Sequence, residues 1–307
     1  MTACLVIAGV TASGKSGLAL ALAERLGGTV INADSMQIYR DLDVLTARPG
    51  AEAMAAAPHR LYGVLDGAEL CSAARWAGLA KAEVAEAVAG GRVPILCGGT
   101  GLYLRTLLHG IASVPAIPDT VRAEARALHA EIGGAAFRAA LARLDPAAAG
   151  RLAEGDSQRL IRAYEVAAAT GTTLGDWQKR AAEGALGRPI RAYALLPPRD
   201  EVHGAIDARV SRMVAAGALE EVRRLVARGL DPALPVMKAV GVRELASHLR
   251  GETSLAEAIE AVRQATRRYA KRQYTWFRHQ LPEAEPIAAQ FSERNAGLLC
   301  QKICNSA

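Results

Sequence analysis

A chain in which the apolar residues 4–8 run straight into Gly9-Val10-Thr11-Ala12-Ser13-Gly14-Lys15-Ser16 has few folds open to it. The octapeptide fits G-x-x-x-x-G-K-[ST] at every position. A strand-like segment precedes it and a helix-like segment, 17–26, follows, which is the context a phosphate-binding loop needs. Glycines allow a tight turn whose N–H groups converge on phosphate oxygens. The Lys15 ammonium reaches the terminal phosphate, and the Ser16 hydroxyl is a candidate Mg²⁺ ligand. A helix opening at Ser16 directs its positive end at the same anion. A chance match in a glycine-rich turn lacks these flanks. The motif specifies a bound di- or triphosphate, not a reaction.

Further strands are expected over 29–33, 93–97 and 190–196, with helical patterns between them. Alternation of this kind indicates an α/β fold with a doubly wound parallel sheet. From 119 to about 186 the pattern is helical only. Helices are expected at Asp119, near Ala135, near Pro146, and from Asp156 or Ser157 to Gly171. An all-helical block bracketed by strands predicts an insertion, 119–188, into a discontinuous core of 1–118 and 189–307. After residue 200 only helices are expected, including a long one over 254–281. Half of the 307 residues are apolar, enough for a sizeable core. No run of 18 apolar residues occurs, so no membrane span is expected. The five cysteines form no C-x-x-C pair, which points to free thiols in a reducing cytosol.

Asp34 closes the second strand, in Asn32-Ala33-Asp34-Ser35-Met36-Gln37. Loops at the carboxyl ends of parallel strands line the ligand crevice. Asp34 is therefore a candidate Mg²⁺ partner or general base, or simply a residue that caps a turn. The third strand ends in Gly98-Gly99-Thr100-Gly101 with no acidic residue. That turn offers N–H groups and the Thr100 hydroxyl to a second anion or a departing diphosphate, unless it is only a tight turn. The net charge is +6. Six cations, Arg263, Arg267, Arg268, Lys271, Arg272 and Arg278, follow one another with no acid between them. Arg263, Arg267 and Lys271 share a helix face, beside a more apolar face of Ile259, Val262, Thr266, Tyr269, Gln273 and Trp276. Contact with RNA phosphates is the expectation; the alternative is a solvated face favoured by the helix dipole.

Residues 9–16, 34–39, 97–103 (CGGTGLY) and 156–165 (DSQRLIRAYE) together resemble the tRNA dimethylallyltransferase, or tRNA isopentenyltransferase, family in its bacterial form. Further matches lie at 57–61, 237–245 and 270–278. The resemblance implies a core like that of nucleotide kinases, with a helical insertion that contacts tRNA. It implies transfer of a dimethylallyl group from dimethylallyl diphosphate to the N6 amine of the adenosine 3′ to the anticodon, with Mg²⁺ assisting. By position, Gly9, Val10, Thr11, Ala12, Ser13, Gly14, Lys15 and Ser16 hold the diphosphate, and Ser16 the metal. Asp34 takes the proton from the amine and Thr100 meets the leaving oxygen, with Lys15 and Arg122 stabilising the departing charge. Asp34, Ser35, Met36, Gln37, Thr100, Arg122, Gln158, Arg159, Leu160, Ile161 and Arg162 touch tRNA, and Arg243, Arg267, Lys271, Arg272 and Arg278 extend that surface. The expected partner is the anticodon stem-loop, and a cytoplasmic monomer is the default. Val242 stands where the family often has an aromatic residue. The rival reading is a small-molecule or nucleoside kinase that uses ATP; a second is an RNA-binding module without catalysis.

Overall fold

The computed structural model describes residues 3–305. The chain divides into two units, Met1–Leu108 with Leu186–Ala307, and His109–Ala185.

The first unit opens with β1 (Cys4–Gly9), every residue of which is buried. Then follow α1 (Lys15–Leu26), β2 (Gly28–Asn32), α2 (Ala51–Ala56), β3 (His59–Arg60), α3 (Ala73–Ala89), β4 (Val93–Gly98) and α4 (Gly101–His109). The second unit holds β5 (Ile111–Ala112), α5 (Asp119–Leu141), α6 (Pro146–Arg151), α7 (Ser157–Thr170), α8 (Leu174–Lys179) and β6 (Ala182–Glu183). The first unit resumes with β7 (Ile190–Leu195), α9 (Arg199–Ala215), α10 (Ala218–Ala227), α11 (Val242–Leu249), α12 (Leu255–Gln280), β8 (Glu285–Ile287) and α13 (Ala296–Asn305).

Six strands form one parallel sheet in the order β3-β2-β4-β1-β7-β8. A strand buried on both faces reads as an unbroken apolar run, as β1 does. Its alternate side chains serve two cores. Cys4, Val6 and Ala8 join the main core with Trp76, Val202 and Phe277. Leu5 and Ile7 pack with Leu18 and Leu22 of α1 and with Leu299 and Ile303 of α13. The register Ala8↔Gly98 and Asn32↔Cys97 brings the carboxyl ends of β1, β2 and β4 to one level, so three loops open at one rim.

The structure departs from two expectations. The stretch after residue 200 is not helical throughout: β8 adds a sixth strand, pairing Tyr193↔Glu285 to Leu195↔Ile287. Three residues containing Pro286 are too short to show a period of two. The inserted unit is also not purely helical, because β5 and β6 pair antiparallel, Ile111↔Glu183. The compact unit is His109–Ala185, so it both begins and ends earlier than the expected 119–188. Within it, α5 is two helices meeting at Gly133, whose φ of 74° breaks the helical backbone. Asp145 caps α6 by accepting Ala148 N–H, and Gly171 closes α7 in the left-handed region. Phe137, Leu141, Leu160 and Ala163 form its core. No helix among the described residues is long and apolar enough to cross a membrane.

Candidate active site

The loop between β1 and α1 wraps an anion-sized space. Gly14 ends it at φ 83°, and a Cβ there would lie 2.6 Å from the Phe291 carbonyl oxygen, so only glycine fits. Lys15 Nζ folds back to donate to the Val10 carbonyl at 3.3 Å. Burial holds its pKa below the ordinary lysine value, against the pull of Cys97 and Asp34. Ser13 Oγ is buried with no hydrogen-bond partner among the described residues. Such an unmet demand at a phosphate loop suits an incoming oxyanion. The segment beyond 283, silent in sequence, braces this loop. Phe291 N–H donates to the Ser13 carbonyl at 3.0 Å, and Gln290 Nε2 donates to the Ala12 carbonyl at 3.2 Å.

The β2 and β4 loops are bolted to the cradle and to each other. Asp34 lies two residues beyond β2 in a tight turn. Its N–H donates to Asn32 Oδ1 at 2.8 Å, and its Oδ1 accepts Met36 N–H at 2.9 Å. Thr100 Oγ1 accepts Ser35 N–H at 2.9 Å and donates to Ser35 Oγ at 3.2 Å. Thr100 N–H donates to the Ala33 carbonyl, so the turn does not hold this N–H ready for an anion as expected. Gln273 of α12 joins two loops: Oε1 accepts Thr11 N–H at 2.8 Å, and Nε2 donates to the Gly99 carbonyl at 2.9 Å. A Cβ on Gly99 would meet Gln273 Nε2 at 2.3 Å, which explains the small residue. Tyr269 lies within hydrogen-bonding reach of Thr100 and Gln273, and burial pushes its phenol pKa up.

Two compartments meet at this rim. The larger, about 560 Å³, is polar and includes Gly14, Lys15, Ser16, Arg48, Arg209 and Arg212. The smaller, about 240 Å³, is walled by Leu45, Ile206, Val210, Ala239 and Val262, and Lys238, Thr266, Tyr269 and Arg272 also line it. Thr11, Asp34, Thr46, Arg209 and Met213 line both. Arg209 is a site residue that the sequence reading does not single out. Its guanidinium faces Thr11 Oγ1 at 3.5 Å and donates to the Thr46 carbonyl at 3.2 Å. Burial lowers its pKa while the Asp34 carboxylate raises it. The available signal is a cation on the apolar stripe of α9, among Ile206, Val210 and Met213.

No group of three or more His, Cys, Asp or Glu side chains capable of holding a metal occurs among the described residues. The exposed Ser16 hydroxyl, hydrogen-bonded to the buried Cys97 thiol, is the local oxygen donor. Mg²⁺ keeps several waters and binds through one or two protein oxygens plus substrate phosphates, so this donor set fits it.

The expected RNA-facing residues divide. Ser35 and Met36 line the smaller compartment and Gln37 the larger, where Gln37 Nε2 also donates to the Thr46 carbonyl. Arg243, Lys271, Arg272 and Arg278 are exposed. Arg267 is not a free cation on that face: it forms a two-fold contact with Asp207, 2.7 Å to each carboxylate oxygen. Arg263 turns to Ser211 and Glu260. These pairs neutralise two of the six charges and tie α12 to α9. In the second unit, Leu160 is a fully buried core residue, so its side chain does not reach RNA as expected. Ile161 packs on the same core. Arg122 pairs with Asp119, Arg159 with Asp156 and Arg162 with Glu165, while Gln158 is exposed. Val242 is buried in the main core.

Comparison with known proteins gives a consistent picture. A protein named tRNA dimethylallyltransferase from Rhodospirillum rubrum is 60% identical over 295 residues, covering 94% of this chain and 90% of its own. One of the same name from Rhodospirillum centenum is 56% identical, covering 95% and 94%. The crystal structure of the tRNA isopentenylpyrophosphate transferase from Bacillus halodurans is similar at 32% identity and a TM-score of 0.70, over 99% of this chain and 96% of that one. A eukaryotic dimethylallyltransferase acting on tRNA gives a TM-score of 0.79 at 25% identity, over 99% and 80%. The family described as IPP transferase matches residues 37–280, a span that includes the Thr100 loop, Arg209 and Gln273, and this chain belongs to that family.

Proposed function

We propose that this chain transfers the dimethylallyl group of dimethylallyl diphosphate to the N6 amine of the adenosine 3′ to a tRNA anticodon. The observation that carries the chemistry is the junction at which Asp34 and Arg209 face both the polar and the apolar compartment. The diphosphate lies in the polar compartment, held by loop N–H groups, Lys15, Arg209 and the Ser16 side. Bound Mg²⁺ would neutralise charge on the diphosphate and assist its departure. The five-carbon group points into the apolar compartment, with its first carbon at the junction.

The adenine amine is a weak nucleophile because its lone pair is delocalised into the ring. As the N6–carbon bond forms and the carbon–oxygen bond breaks, the diphosphate takes the bonding electrons. The proton from N6 passes to the Asp34 carboxylate, through the oxygen that Met36 N–H does not occupy. Lys15 and Arg209, fixed before reaction in a poorly solvated site, stabilise the departing charge. Thr100 holds Ser35 beside Asp34, and its hydroxyl stabilises the leaving oxygen by turning its hydrogen from Ser35 Oγ to that oxygen. The base must leave the anticodon-loop stack to reach this junction. Lys238 and Arg272 flank the apolar compartment for the approaching phosphate backbone, with Arg243, Lys271 and Arg278 beyond them. In the inserted unit, Arg122, Gln158, Arg159 and Arg162 are the proposed RNA contacts.

The test is incubation of the full chain with Mg²⁺, unmodified bacterial tRNA and either dimethylallyl diphosphate or ATP, followed by mass spectrometry of digested nucleosides. An adenosine heavier by one dimethylallyl group, formed with the isoprenoid donor alone, is the expected product. A phosphorylated acceptor in the ATP arm, with no prenylated adenosine, would replace this reading with the kinase.

A further inference from the structure

We infer that Val210 and Val262, two buried residues in the lining of the apolar compartment, set the length of isoprenoid that the enzyme accepts. This inference rests on the transferase reading. The compartment measures about 240 Å³ and has to admit both the donor tail and the reacting edge of adenine. Part of its lining belongs to the packed core. Val210 of α9 is 3% exposed and Val262 of α12 is 4% exposed, and both belong to the main core. A tail that reaches Val210 and Val262 can extend further only by displacing packed core side chains, which resist compression.

Polar bonds keep the wall from yielding. Arg267 grips both carboxylate oxygens of Asp207, and Arg263 Nη2 donates to Ser211 Oγ at 3.0 Å, so α9 and α12, which carry Val210 and Val262, are tied to each other. Leu45, also in the lining, is held through its backbone. The buried Glu221 carboxylate accepts Asp43, Val44 and Leu45 N–H at 2.6, 3.0 and 2.8 Å. The cation at position 267 thus serves the geometry of the donor site rather than RNA. A lining braced in this way discriminates by steric exclusion, because packed side chains resist a longer ligand.

The experiment compares dimethylallyl and geranyl diphosphate as donors to the same tRNA, with product adenosines measured by mass spectrometry. It uses wild type, Val262→Ala, and the double variant Val210→Ala/Val262→Ala. Wild type should give the dimethylallyl product and only a trace of the geranyl one. The ratio of kcat/KM, geranyl over dimethylallyl, should rise about tenfold in the double variant, with inorganic diphosphate still inhibiting as in wild type. Val262→Ile, which adds one carbon to the lining, should move the ratio of dimethylallyl to a smaller allyl diphosphate donor downward; it keeps the test alive if the alanine pair folds poorly. Folded variants with unchanged donor ratios in both directions would overturn the inference. No dimethylallyl product from wild type would instead remove the transferase reading on which it stands.

Discussion

At Asp34 one carboxylate oxygen is engaged by the chain itself, since Oδ1 accepts Met36 N–H at 2.9 Å. That bond fixes the rotamer and presents the second oxygen to the junction. The carboxylate also stands near enough to Lys15 and Arg209 to raise the pKa of each, against the larger lowering by burial. Two effects of Asp34→Asn therefore have opposite signs. Loss of the proton acceptor should lower the single-turnover rate by about 10²–10⁴-fold. Loss of the negative charge should leave inorganic diphosphate binding as tight as before, or tighter. A variant that binds diphosphate poorly but turns over normally at saturation would make Asp34 a ligand-site residue. Lys15 gives a pH signature. Burial lowers its pKa from 10.5, so between the lowered value and 10.5 the unfolded chain binds the extra proton. Stability contributed by this group rises with pH across that window. Diphosphate favours the charged ammonium, so binding in the window should take up a proton, and affinity should fall as pH passes the lowered pKa. Calorimetry in buffers of different ionisation enthalpy measures the uptake, which Lys15→Met should abolish. Equal uptake in both proteins would assign it elsewhere.

At the scale of elements, the site depends on how loops are pinned to helices distant in sequence. The loop at 43–47 contributes to both compartments, and its anchor is Glu221 of α10. Two carboxylate oxygens satisfy three successive N–H groups there. Glu221→Gln places an amide NH₂ against donors and leaves at least one unsatisfied. The expected cost is about 1–3 kcal/mol, read as a lower denaturant midpoint with an unchanged slope. The donor KM should rise with it, because Leu45 and Thr46 lose their fixed position. A stability loss with an unchanged KM would show that the loop keeps its place without this anchor. What could be read from the sequence follows the same line. The strands at 4–9 and 93–98, the phosphate loop, Asp34 and Thr100 lie on contiguous segments with a local signature. Arg209, Gln273, Glu221 and Gln290 reach the site from α9, α12, α10 and the C-terminal segment, across up to 278 residues of chain. A polar residue on an apolar helix face marks each helical case, but it does not name the loop it will meet. Arg267 shows the converse: its four-residue spacing with Arg263 and Lys271 is legible, whereas its partner Asp207 is not.

For the whole molecule, the inserted unit enters and leaves at one place. Leu186 N–H donates to the Leu107 carbonyl at 2.8 Å, so the first unit closes its own chain ends beside each other. Excision of 109–185 therefore needs only a short glycine-serine bridge between Leu108 and Leu186, and closing a short loop costs little chain entropy. The cradle, Asp34, Thr100, Gln273 and both compartments all belong to the unit that remains. Inorganic diphosphate should bind the excised protein as it binds the full chain. Affinity for tRNA should fall at least about tenfold. The dependence of that affinity on salt should become shallower, since Arg122, Arg159 and Arg162 leave with the insertion, and every phosphate that goes unneutralised takes nearly one unit off the slope. Filter binding across a salt series measures both. A normal slope and affinity would confine RNA recognition to the cations of the first unit, with Lys238, Lys271 and Arg272 the next residues to remove. A loss of diphosphate binding would mean that the cradle is not self-supporting without the insertion.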